Sequence, residues 1–180
     1  MPGDERTAPV LMARNVTMDY QTGGSGNPQA NAVRALDNVN LDIVAGSSLS
    51  IMGPSGSGKT TLLHVLAGIL KPTQGTVVYK NRNMATLPDA YRTRLRRSDF
   101  GFVFQSGQLI EELSAEENVA LPLMLSGADY KKAVAAASDW LERLGLQQLA
   151  SHRPGEMSGG QRQRIAIARA LAISPSVIFA

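Results

Sequence analysis

Apolar positions along this chain follow several rhythms, and each predicts an element. Val10 to Tyr20 alternates loosely between apolar and polar, as a half-buried strand does. Ala35 to Ile43 alternates again, with Leu36, Val39, Leu41 and Ile43 near one face, and Ala45-Gly46 turns it back. Ser48-Leu49-Ser50-Ile51-Met52 reads as a buried strand, and Thr76 to Tyr79 and Phe100 to Phe104 read as further strands. Val177-Ile178-Phe179-Ala180 is another apolar strand. Between these runs the spacing becomes helical: Thr61 to Ala67 with Gly68 near its end, and Pro88 to Arg97 with Pro88 tolerated in a first turn. Gln21 to Asn31, rich in Gly, Asn, Gln and Ser, reads as a loop.

From Ser106 to Gly155 no β-rich run appears. Ser114-Ala115-Glu116-Glu117 is a capping box that opens one helix, Asp129 to Leu144 is a second closed by Gly145, and Ser158 caps a third running through Leu171. A helical block set into an α/β chain predicts a subdomain. The expected organisation is an α/β core with its N-terminal strands over 1–105, a helical subdomain over 106–156, and a capped helix with a final strand over 157–180.

The turn between the Ser48–Met52 run and the next helix carries the most specific chemistry. Gly53-Pro54-Ser55-Gly56-Ser57-Gly58-Lys59-Thr60, followed by Thr61, fits G-x-x-x-x-G-K-[ST], the phosphate-cradling P-loop. Glycines let successive backbone N–H groups curl inward toward phosphate oxygens, and the helix starting near Lys59 adds its positive dipole end. Lys59 supplies a full charge toward the β- and γ-phosphates, and Thr60 offers a hydroxyl to Mg²⁺. A nucleoside triphosphate with Mg²⁺, ATP in the first instance, is the expected ligand.

Met157-Ser158-Gly159-Gly160-Gln161-Arg162-Gln163-Arg164 places a hydroxyl and exposed N–H groups at another helix start, a second anion site. One ATP does not need two such helix starts from one chain, so two chains, each covering the other's nucleotide, are the natural solution. The pair of motifs, Gly53 to Thr60 followed by Ser158-Gly159-Gly160-Gln161, resembles the nucleotide-binding subunit of an ABC transporter, with Met157 where the family more often has Leu. The resemblance covers nearly the whole chain. It implies an α/β P-loop NTPase core with N-terminal antiparallel strands and an inserted helical subdomain. It also implies that Tyr20, otherwise a strand-end aromatic, stacks on adenine, and that Gln105 contacts Mg²⁺ and the attacking water. Ser158 to Gln161 would act on the partner chain's ATP. His64 and His152 match none of the family's working positions and read as structural.

Phe102-Val103-Phe104-Gln105 and Glu117-Asn118-Val119-Ala120-Leu121-Pro122-Leu123 are similar to subunits of the lipoprotein-releasing and macrolide-export type. That similarity implies a second nucleotide-binding subunit, an integral membrane permease of the FtsX/MacB-like type, and a position in the cytoplasm on the inner face of the membrane. Ser151 to Glu156 would occupy the segment that senses the permease. Export or mechanotransmission is one expected role; an ATP-dependent module that signals through a permease-like partner without moving a substrate is another. A soluble ABC protein working on ribosomes or DNA is a third, disfavoured because the Ser106–Gly155 block shows no sustained heptads.

Composition narrows the picture a little further. A formal charge of +3 gives no reason to expect nucleic acid. Basic residues crowd at Arg92, Arg94, Arg96 and Arg97, which read as a solvated helix face, and again at Arg162, Arg164 and Arg169. There is no cysteine, which excludes thiol chemistry. No apolar run reaches the length of a membrane span, and Met1 to Arg6 does not look like a secretory signal. The family's hydrolytic carboxylates should follow Val177 to Ala180, so the 180 residues alone are expected to be a fragment with little ATP hydrolysis, unstable through its missing sheet edge.

Overall fold

The computed structural model describes residues 8–21, 32–104 and 107–180, which form two compact units, Met1–Arg92 and Thr93–Ala180. In the first, β1 (Pro9–Gln21) is the centre of an antiparallel sheet, with β2 (Ala32–Val44) on one side and β3 (Gln74–Tyr79) on the other, and the short β4 (Arg82–Asn83) beyond β3. The β1–β2 register pairs Met12 with Asp42 and Tyr20 with Val33. Two of the irregularities that interrupt it fall where Asn15 and Asn38 take φ of 51° and 50°, a region asparagine tolerates better than most residues. Gly75, at φ 82°, crosses the Asn15 kink so closely that a Cβ would lie 2.2 Å from the Asn15 carbonyl oxygen. Leu11, Ala13, Val16, Val77 and Tyr79 are buried in this unit. So is one face of α1 (Lys59–Leu66), through Leu62, Val65 and Leu66. Gly68, at φ 65°, ends the turn after that helix.

Ser48 to Met52 is not a strand. A strand is completed by hydrogen bonds from a neighbour, and among the described residues of this unit no strand pairs with it. Leu49 and Met52 accordingly stand 50% and 87% exposed.

The second unit opens within α2 (Asp89–Ser98) and continues into β5 (Phe100–Phe102), which pairs in parallel with β6 (Val177–Phe179). Phe179 meets Phe100 edge-on at 5.5 Å and stacks on Phe102 at 5.4 Å between ring centroids. Gly101 is where β5 presses on the neighbouring helix: a Cβ there would lie 2.7 Å from the Ala170 carbonyl oxygen. The rest is helical. Three helices, α3 (Ala115–Leu125), α4 (Tyr130–Arg143) and α5 (Gly159–Ala172), enclose a core of Val119, Ala137, Leu141, Leu146, Met157 and Ile165. The alanines at 115, 120, 133, 137 and 168 bring the helix backbones close. The boundaries follow the expected caps. Ser114 and Glu117 form a capping box, the Asp129 carboxylate accepts from Lys131 N–H at 3.0 Å, and Gly145 turns at φ 67°.

Candidate functional site

The P-loop runs from the exposed Gly53 into α1. Gly56 and Gly58 take φ of 79° and 85°, in the left-handed region that glycine enters without strain. Gly58 has a second constraint, because a Cβ would sit 2.2 Å from the Ala35 carbonyl oxygen of β2. It is also the N-cap of α1 and offers no side-chain acceptor, so no cap competes for the first-turn N–H groups. Lys59 folds over the loop: its ammonium donates to the carbonyl oxygens of Gly53 at 2.9 Å and Pro54 at 2.6 Å, with the Ser57 hydroxyl at 3.5 Å. Ser57 N–H closes the turn on Pro54 O at 3.3 Å. Thr60 is exposed in the first helical turn.

β1 delivers Tyr20 to this loop. Its hydroxyl lies 3.3 Å from the Thr61 Oγ1, while its ring is 39% exposed. The strand end that carries it is fixed by Arg34 of β2, which donates to both carboxylate oxygens of Asp19 at 2.9 and 3.4 Å and to Asp37 at 3.1 Å. The hydrogen bond that Arg34 donates to Asp19, and the Asp19 charge, raise the Arg34 pKa above its ordinary value.

The second motif lies in the other unit. Ser158 caps α5: its hydroxyl accepts from Gln161 N–H at 3.3 Å, and the Gln161 side-chain oxygen accepts from Ser158 N–H at 2.7 Å. Ser158, Gly159 and Gly160 are exposed, and Met157 is buried in the helical core behind them. A short turn, Pro154–Glu156, leads in, tied by the Glu156 carboxylate accepting from Arg153 N–H at 2.7 Å. Gln105 lies outside the described residues.

Two residues of the second unit escape sequence reasoning. Arg169, which crowds in the sequence with Arg162 and Arg164, is half-buried, and desolvation lowers its pKa. Its guanidinium donates to Gln108 O and Gly107 O, each at 2.8 Å. A lone cation in Ile165-Ala166-Ile167-Ala168-Arg169-Ala170-Leu171 was the available signal, since a charge in an apolar helix face needs partners. Asn118 is fully buried. It accepts from Ile110 N–H at 2.8 Å and donates to the oxygens of Ile110, Leu113 and Ser114 at 3.0 to 3.1 Å.

The fold and the loop together are those of a P-loop NTPase domain that carries a helical subdomain. The chain belongs to the ABC transporter family, whose pattern matches residues 36–180. Over 173 residues it is 42% identical to the lipoprotein-releasing system ATP-binding protein LolD 2 of Rhodopseudomonas palustris, covering 96% of this chain and 72% of that one. It is also 42% identical over 170 residues to the uncharacterized ABC transporter ATP-binding protein Rv2564 of Mycobacterium tuberculosis, covering 94% and 50%. The chain thus spans about half the length of the mycobacterial relatives it matches. Among solved structures it resembles the ATP-binding cassette MJ0796 in a dimeric post-hydrolysis state bound to ADP and Pi. That match has a TM-score of 0.82 and 42% identity, and covers 93% of this chain and 72% of that one. Among the described residues, no helix is long and apolar enough to cross a membrane.

Proposed function

We propose that this chain is the ATP-binding and hydrolysing part of an ABC transporter that drives export or mechanotransmission through a partner membrane permease. The observation that carries the reading is the preshaped P-loop: left-handed Gly56 and Gly58, an uncapped α1 start, and Lys59 held against two carbonyls. That cradle suits a triphosphate. Phosphate oxygens would exchange for the carbonyl partners of Lys59, a charge-assisted contact of about 1.5–3 kcal/mol per hydrogen bond. Residues Gly53 to Thr61 wrap the phosphates, and the exposed ring of Tyr20 stacks on adenine. Thr60 and Gln105 would hold Mg²⁺, which would supply positive charge to offset that of the triphosphate. Gln105 also orients the attacking water.

Ser158 to Gln161 close on the nucleotide of a second copy or a paralogous subunit. Exposure of Ser158, Gly159 and Gly160, with Met157 anchored behind them, supports an outward-facing role. Closure moves the helical subdomain, which we place at 106–156 between the 1–105 core and the 157–180 helix and strand. The Ser151–Glu156 segment passes that motion to the permease. The relatives named as ATP-binding proteins of a lipoprotein-releasing system support a role in such a system; the permease partner in this proposal is of the FtsX/MacB-like type, with this chain on the cytoplasmic face of the membrane.

The test is Lys59→Ala in the whole protein that contains this chain. Fluorescent ATP-analogue binding should be lost, and with it the Mg-ATP-dependent dimer seen by sedimentation. Wild-type nucleotide affinity in this variant would overturn the reading.

A further inference from the structure

The end of β1 that carries Tyr20 outruns β3: among the described residues the last β1–β3 pair is Thr17 with Gln74. Past that point the Thr73 hydroxyl accepts from Asp19 N–H at 2.9 Å on the β3 side. On the β2 side the pairing steps. Met18 pairs with Leu36, but the next residue, Asp19, pairs with Arg34, which leaves Ala35 of β2 with no opposite residue, a bulge. Tyr20 with Val33 and Gln21 with Ala32 follow in the shifted register. A bulged strand end with one neighbouring strand is weakly specified by its ladder, and a slip of one residue would turn Tyr20 to the other face of the sheet.

Arg34 specifies that register. Its guanidinium reaches across the ladder to both oxygens of Asp19, at 2.9 and 3.4 Å, and along β2 over the bulge to Asp37, at 3.1 Å. One planar fork therefore ties the first pair of the shifted register to β2 on the far side of the bulge. The bulge is also where the sheet meets the P-loop, since the Ala35 carbonyl is what a side chain at Gly58 would strike. Tyr20 directly follows Asp19, with its hydroxyl 3.3 Å from Thr61 Oγ1 in α1. Successive side chains of a strand leave opposite faces of the sheet, so Arg34 acts on the Tyr20 ring through the backbone.

We propose that Arg34 is a positioning residue for the nucleotide base: by pinning Asp19 across the Ala35 bulge it fixes the register that aims Tyr20 at the P-loop. The proposal rests on the reading of Tyr20 as the aromatic that stacks on adenine. A merely structural brace changes melting alone; a positioning residue changes affinity for ligands that carry a base.

The experiment compares Tyr20→Ala, Arg34→Ala and the double variant in the whole protein that contains this chain. Calorimetry measures binding of AMP-PNP, an ATP analogue that resists hydrolysis, with Mg²⁺. Competition against a fluorescent ATP analogue measures binding of inorganic tripolyphosphate, which has no base. Tyr20→Ala should weaken AMP-PNP binding about tenfold, within what stacking one base on an aromatic ring supplies. Arg34→Ala should weaken it about three- to tenfold, because the competent position of the ring is then only partly populated. In the Tyr20→Ala background it should cause no further loss, and tripolyphosphate should bind wild type and Arg34→Ala equally. If Tyr20→Ala leaves AMP-PNP affinity intact, the reading of Tyr20 fails and the proposal with it. If Tyr20→Ala weakens binding but Arg34→Ala does not, if the two losses multiply, or if tripolyphosphate binding falls as much as AMP-PNP binding, the positioning role alone is overturned. Should Arg34→Ala not fold, Asp19→Asn takes its place, since it removes the charge the fork holds; a lower melting temperature with unchanged AMP-PNP affinity in the folded fraction would reduce Arg34 to a brace and refute the proposal.

Discussion

Asn118→Ala isolates the cost of one buried side chain. Asn118 has no exposed surface and makes contacts to Ile110 N–H, Ile110 O, Leu113 O and Ser114 O. Truncation does not orphan all of them, because Ser114 O keeps the backbone N–H of residue 118 at 2.9 Å. Ile110 O likewise keeps the Leu113 N–H at 3.2 Å, which leaves the Ile110 N–H and the Leu113 carbonyl without their partner. A buried polar group stripped of its hydrogen bond costs about 1–3 kcal/mol. The exposed Ile110 side chain shows that water can reach part of this loop, so the lower half of that range applies. The expected loss is therefore about 2–4 kcal/mol, a large share of the roughly 5–15 kcal/mol that holds a domain folded. With a urea slope of about 2 kcal/mol per M, the unfolding midpoint should fall by about 1–2 M. Urea titration followed by the fluorescence of Trp140, the chain's single tryptophan in α4, reads the unit that contains Asn118. A shift below about 0.5 M would show that the loop repairs itself with water and that Asn118 does not pin it.

Gly58→Ala meets both a φ of 85° and the Ala35 carbonyl 2.2 Å from the new Cβ. Backbone strain alone costs on the order of 1–3 kcal/mol, so ATP-analogue binding should be lost and the melting temperature should drop. Gly56→Ala, with φ 79° and nothing within 4 Å of the new Cβ, should lose less stability in the same thermal scan. Ser158→Ala removes the cap of α5 and should cost about 1 kcal/mol in a denaturant titration. Ser158→Arg should leave ATP-analogue binding by the single chain intact while abolishing the Mg-ATP dimer in sedimentation; loss of binding by the single chain would count against a site shared between two chains.

The helix boundaries were legible because their signals are local. Ser114 with Glu117, Asp129 and Gly145 each cap within one turn, and the structure places α3 and α4 between them. The P-loop glycines were legible for the same reason, although part of their necessity is not local: what forbids a side chain at Gly58 is a carbonyl of β2. Ser48 to Met52 misled because its apolar run specifies a wish for burial, whereas a strand exists only when another strand supplies its hydrogen bonds. Asn118 was visible only as a letter inside a family-like run, with nothing in its neighbours to say that it closes on Ile110.

Arg169 shows the limit most clearly. Charge grouping puts it with Arg162 and Arg164, and a count of basic residues cannot separate them. Helical periodicity can, because at 3.6 residues per turn Arg169 lies four positions after Ile165, whose side chain has no exposed surface, and so on the buried side of α5. A cation on that side must be compensated. What periodicity cannot supply is the compensating partner, since Gly107 and Gln108 lie 62 and 61 positions away in the chain and offer main-chain oxygens rather than a carboxylate. Sequence reasoning looks for ion pairs by residue type. A guanidinium neutralised by two left-handed carbonyls becomes visible only once the backbone is in place, and it is there that α5 gains its hold on the loop.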